Sequence, residues 1–463
     1  MKTATRRRAL TVEMTSGSLW KNILLFSLPL MMTQVLEVLF NLSDVAIAGK
    51  YAYNTYVALG SVGSTTTLVT LFTGLLIGLG GGVNVAVARG LGMGNDEDVE
   101  HTTHSSFLIC LAMGVLTCLV CVFFAEPMLR LLHTKEEFLP GAVLYLKLYA
   151  LGLPAMGIYN CGNGILSATG DTKRPLIYLS VAGVLNVLLN LFFVIVLHMT
   201  VNGVAIATVA ANAVSAALLY VRLTRTDKCV RVERKAMRID GASLKRILSI
   251  GLPAGVQSAV FSFANIVIQS AINTLGTVAI AASSAAFNVE ILAYDVLNSF
   301  SQACTTFVGQ NYGAGQIKRC KKTMQLSFLE GAIATFVSVV VLLLSARSLL
   351  AIFNSDPEVI AIGYIRLATI LPAYVFCLIY EILSGYLRGF GISLAPALLT
   401  MLGVCGIRIA WVKFVFPTSM TFQTVMWVYP ISLGVTAVLI LCAVLIYRPS
   451  RRFAGLETEE ADK

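Results

Sequence analysis

The fold of this chain is decided by a stretch that occurs twice, Ile23-Leu24-Leu25-Phe26-Ser27-Leu28-Pro29 and Ile247-Leu248-Ser249-Ile250-Gly251-Leu252-Pro253. The offset of 224 residues also places Asn41 over Asn265. Glycine-rich segments at 90–95 and 311–316 follow the second apolar segment of each half, counting the segment with the copy as the first. Because the copies lie about half the chain length apart, they predict two similar halves, as in many transporters built from internal repeats.

The composition of the whole chain is that of a membrane protein. It has 463 residues, of which 57% are hydrophobic and 13% charged, and a mean hydropathy of +0.80. Soluble domains carry about twice this fraction of charge, and here the apolar runs reach the length of about 20 residues that crosses a bilayer. We therefore predict an all-α polytopic membrane protein with about 12 transmembrane helices in two pseudo-symmetric six-helix lobes. A soluble enzyme is excluded.

The apolar runs define the predicted organisation. Spans are expected near 19–48, 56–88, 104–124, 138–168, 175–197, 201–222, 244–274, 278–308, 323–345, 357–387, 396–416 and 421–446. These predict a cytoplasmic N-terminus at 1–18, an N-lobe at 19–222, a basic cytoplasmic linker at 223–243, a C-lobe at 244–446 and a cytoplasmic C-terminus at 447–463. The prolines inside spans, which remove backbone hydrogen bonds, predict bends at Pro29, Pro154, Pro253 and Pro372.

Charge placement sets the predicted orientation. Of the 34 Lys and Arg residues, 26 fall on the side of the termini and five on the opposite side. Because basic loops stay in the cytoplasm, both termini are predicted to be cytoplasmic. The net charge of +10 is then largely a topology signal, so no nucleic-acid partner is expected. Membrane lipids are expected as partners, and the basic linker is predicted to contact anionic lipids.

Other motifs predict packing rather than chemistry. Cys118-x-x-Cys121 has no second pair, so we predict no metal site there. His101-x-x-His104 lies beside acidic residues and is predicted to be a solvated helix start. Glycines recur at every fourth position at 74, 78 and 82, which favours close helix packing. The sequence contains no Walker loop, serine elbow or metalloprotease helix, so neither catalysis nor ATP-driven pumping is predicted.

Six acidic residues lie inside predicted spans, where an ionisable side chain is costly and is a functional candidate by default. They are Glu37, Asp44, Glu290, Asp295, Glu330 and Glu381. The alternative is that a residue near a helix end extends its charged group to the membrane surface.

The N-lobe candidates form a cluster of oxygen-bearing side chains. A stripe with helical spacing of 3, 4 and 3 comprises Gln34, Glu37, Asn41 and Asp44. Asn186 and Asn190 follow on the fifth span and Thr208 on the sixth, at similar depths in the outer half of the membrane. A carboxylate with amide and hydroxyl oxygens can bind a proton, or a hard cation such as Na⁺. The alternative is that these groups only hold helices together through hydrogen bonds.

The C-lobe candidates are Glu290, Tyr294, Glu381 and Arg408. Glu290 and Tyr294 are four residues apart on the eighth span, and Arg408 lies near the middle of the eleventh. A buried arginine needs a carboxylate partner, so we predict that Arg408 pairs with Glu381 or Glu290. Such a pair can be structural or can handle substrate or protons. Asp295 and Glu330, which is predicted near the cytoplasmic start of its span, are further candidates.

Five motifs in order resemble the multidrug and toxic compound extrusion (MATE) family, within the group that also holds polysaccharide and lipid-linked-precursor flippases. The motifs, which cover nearly the whole chain, are Leu28-Pro29 with Asn41-x-x-Asp44, Ala88-Arg89-Gly90-x-Gly92-x-Gly94, Gly170-Asp171-Thr172-Lys173-Arg174-Pro175, Gly309-Gln310-Asn311-Tyr312-Gly313-Ala314-Gly315 and Leu387-Arg388-Gly389-Phe390-Gly391. The resemblance implies twelve helices in two lobes around a central cavity.

The resemblance further implies a secondary active antiporter in the bacterial cytoplasmic membrane. It would export organic cations, amphipathic drugs or toxic metabolites in exchange for H⁺ or Na⁺ by alternating access, with no cofactor beyond the coupling ion. We expect a monomer. In this scheme the coupling ion neutralises Asp44, the first helix repacks around Pro29, and substrate leaves outward. Glu290 or Glu381 binds the cationic substrate, with aromatic side chains contributing cation–π contacts.

Members of the DinF branch resemble this chain at the N-lobe cluster, and the residues that match their cation-coupling positions are Asp44, Asn186, Asn190 and Thr208. Asn190 stands where the branch has a second carboxylate. Asp44 is then the only acid of the cluster, which favours one proton per cycle, although Na⁺ at this cluster stays open. Other branches use C-lobe acids, which Glu290 and Glu381 resemble in placement.

Two other functions stay open. An exporter or flippase of a lipid-linked or anionic substrate on the same fold predicts a strongly cationic cavity, and the arginines inside spans are few. A receptor or channel that does not transport is the third function, and the duplicated lobes with acids inside the membrane argue against it.

Overall fold

The computed structural model describes residues 11–51, 55–132, 134–226 and 229–452, and within them the backbone is helical or irregular, with no strand. Side chains are described in the same ranges except at 44–46 and 48–59. Eleven helices are long and apolar enough to cross a membrane, or up to 12 if one bent pair is a single span. The prediction of an all-α polytopic membrane protein is confirmed.

Fifteen α-helices follow one another along the described chain. The first seven are α1 (Leu19–Tyr51), α2 (Thr55–Gly92), α3 (Asp96–Leu131), α4 (Leu139–Ala150), α5 (Leu153–Ala168), α6 (Lys173–Leu191) and α7 (Val201–Thr224). The others are α8 (Gly241–Asn273), α9 (Thr277–Gly313), α10 (Ile317–Phe353), α11 (Pro357–Gly389), α12 (Leu394–Thr400), α13 (Ile407–Ala410), α14 (Phe422–Tyr447) and α15 (Pro449–Arg452).

Short turns of other helical types complete these elements. One π turn, Phe192–Val196, extends α6, and two more, Met401–Gly406 and Trp411–Val415, flank α13. Arg234–Ala236 and Phe416–Thr418 are 3₁₀ turns. The predicted eleventh span is therefore a continuous apolar stretch of mixed winding, whereas the predicted first, second and third spans are single long α-helices.

The predicted fourth span is the bent pair. α4 and α5 meet at an angle of 45° across a two-residue break. Pro154 occupies the first turn of α5, where a missing N–H is tolerated but the helix before it cannot continue. The bend predicted at Pro154 is thus present. α1, α8 and α11 continue through Pro29, Pro253 and Pro372, and the bends expected there stay a prediction.

The described chain divides into two compact units. Unit one comprises residues 11–12 and 32–259, and unit two comprises residues 13–31 and 260–452. The divisions therefore fall inside α1 and α8, shortly after the two prolines of the sequence repeat. The basic linker at 223–243 lies within unit one. These two units are not the predicted lobes, so the lobe boundaries at 222 and 244 stay a prediction.

Unit one is built on a close approach of α2 and α8. An added Cβ on Gly74 would lie 2.8 Å from Ser258 Cβ, and one on Gly82 would lie 2.8 Å from the Gly251 nitrogen. Gly78 faces Gly255 in the same way. The prediction of close helix packing at the three glycines is confirmed, because only hydrogen fits between these backbones.

We expect Gly78→Ala to destabilise the protein. Its methyl group would lie 2.7 Å from Gly255 Cα and 2.9 Å from the Gly251 carbonyl oxygen, and backbone atoms cannot turn aside as a flexible side chain can. Overpacking of this kind costs about 1–3 kcal/mol. Thermal unfolding of the purified full chain in detergent measures it. The matched control is Gly81→Ala on the same helix, where an added Cβ meets no atom within 4 Å; equal melting temperatures for the two variants would contradict the prediction.

The linker packs on the start of α3 within unit one. Val232 is 2% exposed, and His104 Nε2 accepts a hydrogen bond of 3.0 Å from the Glu233 backbone N–H. Arg246 donates two hydrogen bonds, of 2.7 and 3.1 Å, to the Asp98 carboxylate. The prediction of a solvated His101-x-x-His104 is wrong at His104, which is 1% exposed, because the linker folds back over it.

The segment before α1 is part of unit two. Met14 is 2% exposed, and its carbonyl oxygen accepts hydrogen bonds from Asn311 Nδ2 at 3.2 Å and from Arg319 Nε at 3.3 Å. Phe26 of α1 packs edge to face on Phe307 of α9, with ring centroids 5.5 Å apart. The first part of α1 is thus held by the C-terminal half of the sequence.

Candidate ion-coupling and substrate sites

Three of the predicted N-lobe residues lie together in unit one. Asn190 Nδ2 donates to Asn186 Oδ1 at 3.2 Å, and Asn186 Nδ2 donates to Thr208 Oγ1 at 3.4 Å. The Thr208 hydroxyl donates in turn to the Val204 carbonyl at 3.0 Å. Asn186 and Asn190 are 5% and 0% exposed. α6 and α7 therefore bring two amides and a hydroxyl into one buried chain of hydrogen bonds, as their helical spacing predicts.

The fourth member of the cluster, Asp44, lies on α1, but its side chain is outside the described residues. The nearest described contact of α1 is the ring of Phe40, which lies against Gly183 of α6 so closely that an added Cβ would overlap it. Phe40 is one turn before Asp44, and Gly183 is one turn before Asn186. α1 therefore approaches α6 next to the amide chain.

The remaining residues of the predicted α1 stripe do not lie in the core of unit one. Glu37 and Asn41 are exposed and Gln34 is half-buried. The role of this stripe stays a prediction.

The C-lobe carboxylate Glu290 is held by an arginine that the sequence interpretation missed as a partner. Arg366 Nε donates to Glu290 Oε2 at 2.9 Å, and Arg366 Nη1 donates to Ser283 Oγ at 2.7 Å. The two side chains are 3% and 8% exposed. A charged pair this deeply buried in unit two has each charge neutralised by the other.

Glu381 is held in the same way. Arg388 Nη2 donates to Glu381 Oε2 at 3.2 Å, and the Tyr294 hydroxyl donates to Glu381 Oε1 at 3.3 Å. Ser301 Oγ donates to the Glu381 carbonyl oxygen at 2.8 Å. Tyr294 and Glu381, both predicted candidates, are therefore in direct contact. Arg388 follows the predicted tenth span, which ends at 387, and lies in the last turn of α11, seven residues after its partner.

The prediction that Arg408 pairs with Glu381 or Glu290 is wrong. Arg408 Nη1 donates to Asn265 Oδ1 at 2.8 Å, and the guanidinium carbon lies 4.5 Å from the centroid of the Tyr429 ring. Arg366 lies 5.3 Å from the same ring. The aromatic face attracts cations. Tyr429 and Asn265 therefore contact Arg408 in place of a carboxylate, since Glu290 and Glu381 pair with other arginines.

The backbone around Arg408 is also unusual. α13, which carries Arg408, is only four residues long and is flanked by the π turns Met401–Gly406 and Trp411–Val415. Isolated π turns inside helices occur frequently at functional sites. Sequence periodicity gives no signal for them, because a π turn shifts the helical register by one residue.

The buried charges of unit two do not balance. Three guanidinium groups, on Arg366, Arg388 and Arg408, face two carboxylates that accept ion pairs. The other two acids are Asp295 and Glu330, which are 8% and 4% exposed. Neither has a salt-bridge partner among the residues that the structure describes. In the same part of the chain, no group of three His, Cys, Asp or Glu residues is arranged to hold a metal ion.

The described chain is a polytopic helical membrane protein with eleven or twelve apolar spans and buried polar clusters, an architecture that membrane transporters share. The family model MatE matches residues 29–192 and 253–412, and the chain belongs to this family. The two matched segments begin at Pro29 and Pro253, at the offset of the sequence repeat. The predicted membership of the MATE family and the absence of an enzymatic role are confirmed.

Similar proteins agree with this assignment. The chain is 24% identical to the probable multidrug resistance protein YoeA of Bacillus subtilis over 441 residues, which cover 93% of this chain and 94% of the relative. It is 26% identical to the FAD transporter of Shewanella oneidensis over 351 residues, covering 74% and 76%. A multidrug resistance MATE family transporter in an outward-facing conformation has the same fold, with a TM-score of 0.87, 22% identity and coverage of 97% and 99%.

Proposed function

We propose that the chain is a secondary active antiporter that exports organic cations or amphipathic drugs in exchange for protons. The coupling residues in this proposal are Asp44, Asn186, Asn190 and Thr208. The observation that supports it is the hydrogen-bonded chain from Asn190 through Asn186 to Thr208, with α1 packed beside it. The name of the Bacillus relative supports multidrug export, and bacterial relatives support a place in the cytoplasmic membrane. The excess of Lys and Arg on the side of the termini supports a cytoplasmic position for both termini.

The position of Asp44 follows from helix register. α1 and α6 are the first and fifth spans, so they cross the membrane in the same direction. From the contact of Phe40 with Gly183, one further turn on each helix leads to Asp44 and to Asn186 at the same level. The turn of α1 that carries Asp44 therefore lies beside the turn of α6 that carries Asn186.

The hydrogen bonds of the cluster favour a proton over Na⁺. Asn186 Oδ1 and Thr208 Oγ1 each already accept a hydrogen bond from a neighbouring amide. A hard cation needs several oxygens at once, and only Asp44 contributes negative charge, because position 190 is an amide. A proton needs only the carboxylate. No cofactor is required in this mechanism, and a monomer holds the complete cluster.

A second candidate function has its own support. The acids expected to bind a cationic substrate, Glu290 and Glu381, are both held by arginines. Arg408 has no carboxylate partner among the described residues, so one buried guanidinium is not paired with an acid. This arrangement favours an anionic or lipid-linked substrate, and the FAD transporter among the relatives carries a name with such a substrate.

Transport in proteoliposomes separates these functions. We expect the full chain to move ethidium against its gradient when a pH gradient is imposed. A Na⁺ gradient alone should cause no accumulation of ethidium. FAD is offered in a parallel experiment as the anionic substrate. Transport of FAD but not ethidium would replace the proposal by the second candidate, and coupling to Na⁺ alone would contradict the proton mechanism. Passive equilibration without accumulation would exclude both.

A further inference from the structure

One buried acid of unit two lies outside every cluster described so far. Glu330 is on α10, a helix of 37 residues that begins at Ile317. The helix midpoint is Thr335, so Glu330 lies about 7.5 Å from it along the axis. The sequence places this residue near the start of a span beginning at 323. The helix begins six residues earlier, so Glu330 lies 13 residues after its start instead of seven.

Glu330 lies in a tightly packed part of unit two. The residue is 4% exposed. On the adjacent Gly331, an added Cβ would lie 3.0 Å from Leu378 Cδ1 of α11 and 3.3 Å from Phe300 Cβ of α9. Three helices therefore pack tightly at this level. Both carboxylate oxygens of Glu330 are buried without a hydrogen-bond partner among the described residues.

Two hydroxyl groups lie on the same face of α10. Thr323 and Ser327 precede Glu330 by seven and three residues, a spacing that places all three on one stripe of the helix. Both are 0% exposed. The Thr323 hydroxyl lacks a hydrogen-bond partner within the described part of the chain, and the Ser327 hydroxyl lies beside the Cys304 thiol. Buried polar groups without a partner are rare in a protein interior. The stripe leads from Glu330 toward the first turn of α10.

The energetics limit what can occupy this carboxylate. An ionised carboxylate buried without a donor or a cation is costly, and the charged form is removed either by protonation or by a bound cation. Glu290 and Glu381 each have an arginine within 3.2 Å as a counter-charge. Glu330 has no such partner, and a metal cation would need more oxygens than one carboxylate and two hydroxyls on a single helix.

We propose that Glu330 is a proton-binding site, which exchanges protons along Thr323 and Ser327 through single bridging waters. A hydronium ion transfers its proton to one carboxylate oxygen, an O–H bond forms, and a water molecule is released. This site goes beyond the proposed coupling cluster, because it lies in unit two and does not involve Asp44. The chain then carries two separate proton sites.

Infrared difference spectroscopy of the purified full chain tests this. A protonated carboxyl has a carbonyl band distinct from that of a carboxylate. We expect Glu330→Gln to remove the band of about one carboxylic acid per chain at neutral pH, because the folded variant binds one proton fewer at this position. The matched control is Glu97→Gln in the exposed first turn of α3, which should leave the acid band unchanged. An unchanged band in Glu330→Gln would overturn the proposal.

Two further measurements keep the test decisive. Ser327→Ala leaves the acid in place, and we expect it to slow hydrogen–deuterium exchange of the band about a hundredfold, the low end of what positioned proton-transfer groups contribute. Unchanged exchange would remove the hydroxyl path. Conversion of the band to carboxylate on addition of NaCl would show a Na⁺ site instead. None of these readings involves transport, so a failure of antiport and a failure of this site are distinguishable.

Discussion

Asp44→Asn is expected to abolish export driven by a pH gradient while the protein remains folded in the membrane. Asparagine has nearly the shape of aspartate but cannot take up a proton, so the site is fixed in its neutral form. Positioned proton-transfer groups contribute about 10²–10⁴-fold, and a loss in that range puts transport at the background of empty liposomes. The measurement is ethidium accumulation in proteoliposomes with an imposed pH gradient.

Two variants complete this experiment. Glu97→Gln makes the same chemical change on an exposed turn and should transport as the unmodified chain does. Asn190→Asp adds a second carboxylate to the hydrogen-bonded chain, and we expect it to keep export and to add a dependence on Na⁺, because two carboxylates can neutralise and coordinate a cation. Full transport by Asp44→Asn, with an unchanged melting temperature, would sink the coupling mechanism.

The second large effect is expected at the ion pair of Arg366 and Glu290. Removing one partner of a buried pair leaves the other charge uncompensated, at a cost of about 3–5 kcal/mol. We therefore expect Arg366→Met to lower the free energy of unfolding strongly, and Glu290→Gln to do so as well. Denaturant or thermal unfolding of the purified protein measures both.

The double variant identifies the cause. With both charges gone, no uncompensated charge remains, so Arg366→Met with Glu290→Gln should lose less stability than the sum of the two single variants. The control pair is Arg130 and Glu136, whose side chains are 51% and 77% exposed, where removal of either partner should cause no measurable change. Strictly additive losses at Arg366 and Glu290 would show that the two charges do not stabilise one another.

Local periodicity predicted the parts of the site that lie on neighbouring helices. Asn186 and Asn190 share a face because they are four residues apart, and α7 follows α6 directly, so Thr208 was found beside them. The long α-helices and the glycine contacts of α2 were predictable for the same reason. These features depend on spacing along one helix or on consecutive helices.

Partners that are distant in the sequence were not predictable. Arg366 and Glu290 are 76 residues apart, and Arg408 and Asn265 are 143 apart. Which of three arginines meets which acid depends on helix rotation and on the π turns around α13, and one sequence contains no signal for either. His104 was misplaced because burial by a folded-back linker depends on tertiary contacts rather than on the composition around the histidine.

The division of the units inside α1 and α8 restricts how this chain can be cut. Gly251 and Gly255, which lie beyond the basic linker, fill the groove formed by the glycines of α2 in unit one. A fragment ending at residue 222 would therefore lack part of its own core, and so would a fragment of unit two without residues 13–31. Although the sequence is duplicated, we therefore expect neither half to fold on its own, and split-gene expression should succeed only when both fragments are made together.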